Sequence, residues 1–103
     1  LSARVGSIGD NHLGGWYGYR AAKAALNQML HTAAIELARS HPRAVIAALH
    51  PGTVATAFTA DYQSSHATVA PSLAAAHLIA VLDGLTPAQS GGFYDWAGKA
   101  IPW

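Results

Sequence analysis

The chain has 103 residues, 51% of them apolar and only 11% charged, with a net charge of +1. That balance excludes the basic stripe of a nucleic-acid binder and the polybasic face of an acidic-membrane binder, and it implies apolar faces that pack against further structure. Cysteine is absent, so there is neither a disulfide framework nor thiolate chemistry, and a cytoplasmic location is compatible with the composition.

No repeat, low-complexity tract or linker divides the chain, and it is expected to form one unit. Residues 3–16 are Gly-rich and polar, with Asp10-Asn11-His12 and Gly14-Gly15, and predict a loop whose backbone approaches a ligand. Over residues 17–39, Leu26, Leu30, Ala33 and Leu37 recur at helical spacing, and Arg39, His41 and Pro42 close the segment as a helix C-terminus. Residues 44–49 form a continuous apolar run between Pro42 and Pro51, the pattern of a parallel strand covered on both faces. A second helix is expected with Pro71 in its first turn and its end near Asp83-Gly84. Its apolar run over residues 73–82 contains His77 and is too short to span a bilayer. Phe93-Tyr94-Asp95 predicts a short last strand, and Gly98 a turn. The fold class is therefore α/β.

Tyr19 and Lys23 carry the strongest chemical signal. Their i, i+4 spacing puts a phenol and an ammonium on one helix face. A phenol ionises near pH 10, too high for proton transfer at neutrality, and a fixed cation beside it favours the ionised form. Tyr19 is thus a candidate general acid or base. Tyr17, six residues from Lys23, is about two-thirds of a turn out of phase and is the weaker candidate. The six histidines show no H-x-x-x-H spacing, so no metal site is expected. Gly6-Ser7-Ile8-Gly9 is not a G-x-S-x-G elbow, which argues against a serine hydrolase.

Ser2…Gly6-Ser7, Tyr19-x-x-x-Lys23, the apolar run 44–49 and His50-Pro51-Gly52-Thr53-Val54-Ala55-Thr56 stand together in a recognisable order. The chain resembles the second half of a short-chain dehydrogenase/reductase. Ser90-Gly91-Gly92-Phe93-Tyr94-Asp95, Gly98 and Ile101-Pro102-Trp103 extend the resemblance to C-factor-like and sniffer-like carbonyl reductases. It implies the C-terminal part of a doubly wound Rossmann-type parallel sheet. It also implies hydride transfer between NADP or NAD and a small carbonyl or alcohol substrate, with Tyr19 moving the proton and Lys23 holding the nicotinamide ribose. Pro51 and Gly52 would turn the chain at the cofactor, and Val54 and Thr56 would hold the carboxamide. Residues 57–69, with Phe58, Tyr62, Ser64, Ser65 and His66, match the substrate loop, a class of segment that often closes as a lid. The serine is the departure: the family pattern laid on Ser2-Ala3-Arg4-Val5-Gly6 puts Ala3 where a catalytic hydroxyl is expected. Ser7, twelve residues before Tyr19, is preferred over Ser2 for that role, with a turn serine as the plain alternative. Trp16 and Tyr17 would line the pocket.

The Gly-rich strand-turn-helix that opens family members has no counterpart here; Gly14-Gly15 and Gly91-Gly92 lack G-x-G-x-x-G spacing. Residues 1–103 are therefore expected to be the C-terminal catalytic half of a single Rossmann domain, inactive alone. Family members pair through the helix at 17–39, which implies a homo-oligomer. The alternatives are an inert truncation, a helix-mediated interaction module, and an epimerase or dehydratase of the extended family. The last needs a larger C-terminal region than the short tail to Trp103.

Overall fold

The structure, a computed structural model, describes residues 1–62 and 67–103. The substrate-loop residues Ser64, Ser65 and His66 lie outside the described residues. A 3-10 turn at Arg4–Gly6 precedes α1 (Tyr17–Ala38) and β1 (Ala48–His50). A 3-10 segment at Ala57–Tyr62, α2 (Pro71–Gly84), a 3-10 turn at Pro87–Gln89 and β2 (Phe93–Asp95) follow. β1 and β2 are parallel, with Ala48 opposite Phe93, Leu49 opposite Tyr94 and His50 opposite Asp95. Parallel neighbours require a crossover, and α2 lies within it.

Both helices form where the apolar spacing places them. Leu26, Leu30, Ala33 and Leu37 are each half-buried on one side of α1, and Arg39 is its C-cap. Pro71 opens α2, where its missing N–H and fixed φ cost nothing. The strand expected over residues 44–49 is displaced: β1 runs only from Ala48 to His50. Pairing decides this. Upstream of Ala48 the chain faces the Ser90–Gly92 turn instead of a strand, with the Gly91 N–H donating to the Ile46 carbonyl at 2.7 Å and the Ile46 N–H donating to Ser90 Oγ at 3.0 Å. His50 joins the ladder because Asp95 stands opposite it.

The core is small. Ala48, Phe93 and Ile101 are buried together with Leu30 packed against them, and Trp103 stacks on Phe93 at 5.5 Å between ring centroids. The C-terminal residues Ile101-Pro102-Trp103 are therefore part of the core and its cover. On the far side of β1, the Ser2 N–H donates to the Leu49 carbonyl at 2.8 Å, which brings the start of the chain alongside the strand. The turn that follows presses directly on α1: a Cβ added to Gly6 would stand 2.6 Å from Lys23 Cβ, so only glycine permits this approach. Leu73, Ile79 and Leu82 of α2 and Met29 and Ile35 of α1 remain exposed, the apolar faces that the composition implies.

Candidate active site

α1 starts on a backbone that the sequence must hold in place. Trp16, its N-cap, sits in the left-handed region at φ 52, a conformation that costs a non-glycine residue free energy. The Arg20 guanidinium compensates from the next turn, donating to the carbonyls of Gly15 at 2.9 Å, Gly14 at 3.1 Å and Val5 at 3.1 Å. Arg20 thereby ties the Gly-rich loop and the Arg4–Gly6 turn to the helix end that carries Tyr19. Tyr19 is half-exposed, Trp16 meets its edge at 6.1 Å between centroids, and Lys23 Nζ lies 5.8 Å from the centre of its ring. The phenol and ammonium share one face, as their spacing requires.

Tyr19 borders a cavity of about 720 Å³ with three walls. Ser2, Ala3 and Arg4 form one, the first turn of α1 the second, and His50, Pro51 and Gly52 at the end of β1 the third. Phe58 and Thr59 close the rim. The opening lies beyond the carboxyl end of a parallel strand, where open α/β sheets place their ligands. Gly52 has φ +76, and a Cβ there would come within 3.2 Å of Trp96 Cδ1. Glycine at this turn thus lets the backbone pack closely on the Trp96 indole.

Charges are gathered behind the first wall. Arg4 donates to Asp10 at 3.2 Å and to Asp95 at 3.1 Å, while Asp95 also accepts the main-chain N–H groups of Ala97 at 3.0 Å and Lys99 at 2.9 Å. The Arg4 N–H donates to His50 Nδ1 at 3.2 Å. Burial, and next the Arg4 charge, push the His50 pKa below its ordinary 6.5, with Asp95 opposing them. The unfolded chain therefore binds a proton that the folded chain resists, so stability is complete above pH 6.5 and declines as pH falls from there toward the lowered value. Denaturant midpoints measured across mildly acidic pH should show this slope, and His50→Asn should flatten it; an unchanged slope would assign it to other groups.

Comparison with known proteins identifies the company this site keeps. No family model matches the chain. It is 41% identical over 103 residues to the 1-hydroxy-2-glutathionyl-2-methyl-3-butene dehydrogenase of Rhodococcus sp. (strain AD45), covering 100% of this chain and 45% of that protein. Against the C-signal of Myxococcus xanthus it is 36% identical over 104 residues, covering 100% of this chain and 58% of that protein. The carbonyl reductase Sniffer of D. melanogaster superposes with a TM-score of 0.86 at 30% identity, over 100% of this chain and 39% of that one. The NADPH-bound carbonyl reductase from chicken fatty liver gives 0.80 at 32%, over 99% and 40%. The chain matches the C-terminal part of short-chain dehydrogenase/reductases. It spans about half the length of the curated relatives it matches, 45% and 58%. The α/β architecture and its parallel pair accordingly belong to a Rossmann-type sheet.

Within this dehydrogenase/reductase frame, Tyr19, Pro51 and Gly52 meet at the cavity, with Lys23 beside Tyr19. Val54 and Thr56 stand just outside it, on a loop held by the Ala55 N–H to the Val69 carbonyl at 2.9 Å and the Val69 N–H to the Thr53 carbonyl at 3.1 Å. Thr59 donates its hydroxyl to the Val54 carbonyl and accepts the Thr56 N–H at 3.0 Å. The expectation for Ser7 needs correction. Its hydroxyl is buried, donates to the Pro102 carbonyl and accepts the Asp10 N–H at 3.0 Å, so it fastens the C-terminal tail and does not border the cavity. Twelve residues of separation from Tyr19 left this open, because the intervening loop, not the count, decides where the hydroxyl goes. Ala3 borders the cavity in its place. Ser2 borders it too, but its hydroxyl donates to Asn27 Oδ1 at 2.6 Å. Asn11 in the Gly-rich loop accepts the Gly14 N–H at 3.0 Å through its side-chain carbonyl. Sequence reasoning missed His50, Arg4 and Asp95 as a unit; the only signal was the position of His50 directly before Pro51-Gly52.

Proposed function

We propose that this chain is the catalytic C-terminal part of an NADP(H)- or NAD(H)-dependent carbonyl reductase or alcohol dehydrogenase acting on a small molecule. The observation that carries the reading is the meeting, at one cavity, of Tyr19 with Lys23 beside it and the Pro51-Gly52 turn at the end of a parallel strand. The dinucleotide fits what is present. The cavity of about 720 Å³ beside the Pro51-Gly52 turn is open enough for a nicotinamide and a small substrate. A bound nicotinamide supplies or accepts the hydride. Tyr19 gives the substrate oxygen its proton in reduction and takes it in oxidation, while Lys23, on the same helix face, binds ribose hydroxyls. Pro51 and Gly52 would lie against a bound nicotinamide, and Val54 and Thr56, on the adjoining loop, would hold its carboxamide.

The protein bearing this segment should consume reduced nicotinamide when given aldehydes or ketones, followed by absorbance. Absence of turnover with either dinucleotide in both directions, together with no saturable dinucleotide binding, would overturn the reading.

The functional unit is a homodimer through α1. Its outward face carries Ala22, Ala25, Met29, Thr32 and Ile35, all exposed and mostly small or apolar. Ala34, by contrast, is buried, 3.3 Å from where a Gly91 Cβ would lie, and belongs to the core of the chain. Met29→Glu should give monomers by sedimentation without loss of folding; a persistent dimer would place the interface elsewhere.

A further inference from the structure

The missing hydroxyl at position 3 leaves a gap in the chemistry. A carbonyl accepting hydride builds negative charge on oxygen, and a second donor beside the proton-giving phenol stabilises that charge. Along the cavity, the Ser2 hydroxyl donates to Asn27, the Thr59 hydroxyl to the Val54 carbonyl, and the Arg4 guanidinium to Asp10 and Asp95. His50 is placed differently. Its Nδ1 accepts the Arg4 N–H at 3.2 Å, and a neutral imidazole that accepts at one nitrogen carries its proton on the other. Turning the ring over would leave that N–H without its acceptor, so the geometry fixes Nε2–H as a donor. Arg4 is itself held by two carboxylates, one of which, on Asp95, lies opposite His50 in the ladder. Burial and the Arg4 charge also keep the ring neutral near pH 7, the form suited to polarising a carbonyl without transferring its own proton.

We propose that His50 donates a hydrogen bond from Nε2–H to the substrate oxygen that Tyr19 protonates, doing in this chain the work of the hydroxyl that Ala3 lacks. The proposal rests on the oxidoreductase reading above. In reduction the carbonyl π pair moves onto oxygen as hydride adds to carbon, the Tyr19 proton completes the alcohol, and His50 keeps its proton throughout.

Two substitutions separate the ring nitrogens. In the protein bearing this segment, His50→Asn keeps an acceptor near Nδ1 for the Arg4 N–H but has nothing that reaches the Nε2 position. His50→Gln extends an amide N–H toward that position. Loss of one such donor typically lowers kcat by about 10²–10³-fold. His50→Asn should show a loss of that order, with dinucleotide affinity unchanged, and His50→Gln a distinctly smaller one. Adding Ala3→Ser to His50→Asn should restore at least about tenfold of the rate, since it returns a hydroxyl to the expected position. Nitrogen-15 shifts of the wild-type ring should report a proton on Nε2, a measurement that needs no variant to fold. A proton on Nδ1, a near-wild-type kcat for His50→Asn, or equal losses for Asn and Gln with no rescue by Ala3→Ser would each overturn the proposal. If Tyr19→Phe is inactive while His50→Asn is fully active, only the His50 role fails. If the wild-type protein neither turns over nor binds either dinucleotide, the reductase reading itself fails.

Discussion

Tyr19→Phe in the protein bearing this segment should lower kcat by about 10²–10⁴-fold, the usual consequence of removing a positioned proton donor. The ring stays, so its edge contact with Trp16 and its place beside Lys23 stay with it. Dinucleotide affinity should therefore change little, and the loss should fall on kcat and kcat/KM alike, the signature of an interaction made in the transition state. Tyr17→Phe provides the control. Tyr17 also borders the cavity but is 87% exposed and out of phase with Lys23, so its hydroxyl should matter far less. The reverse ranking of the two variants would sink the assignment of the acid/base.

The largest effect on stability is expected at Phe93. It is 2% exposed, packs with Ala48 and Ile101, and stacks on Trp103 with an interplanar angle of 18°. Truncation to alanine removes a buried ring and leaves a cavity, at a typical cost of about 3–5 kcal/mol. Against a net stability of about 5–15 kcal/mol, that is a large share. Phe93→Ala should move the denaturant midpoint sharply down, and Phe93→Leu should do so less. Leu73→Ala, at a half-exposed position on α2, should shift it by only about 0.5 kcal/mol or less. Similar midpoints for Phe93→Ala and Leu73→Ala would mean that the packing of β2 and the C-terminal tail contributes little to holding the molecule together.

Much of the architecture was legible because local chemistry and tertiary placement agree. The recurrence of Leu26, Leu30, Ala33 and Leu37 defined α1, Pro71 and Gly84 bracketed α2, and Phe93-Tyr94-Asp95 marked β2, since periodicity and punctuation are properties of neighbouring residues. The relation of Tyr19 to Lys23 was legible for the same reason: a helix converts a spacing of four into a shared face. The extent of β1 was not, because residues 44–47 are as apolar as the strand itself and only the course of the 90–95 segment decides which of them find a ladder partner. The fate of the serines was hidden too. Ser2 and Ser7 look alike in the sequence, yet one borders the cavity and the other fastens Pro102, a partner 95 residues away. His50 shows the same limit most plainly: its ring is oriented by Arg4, 46 residues earlier, and set between charges from Arg4 and Asp95. Helices and turns follow from short-range patterns; strand register, and which hydroxyl or imidazole borders the cavity, follow from contacts that exist only once the sheet and the two chain ends have packed together.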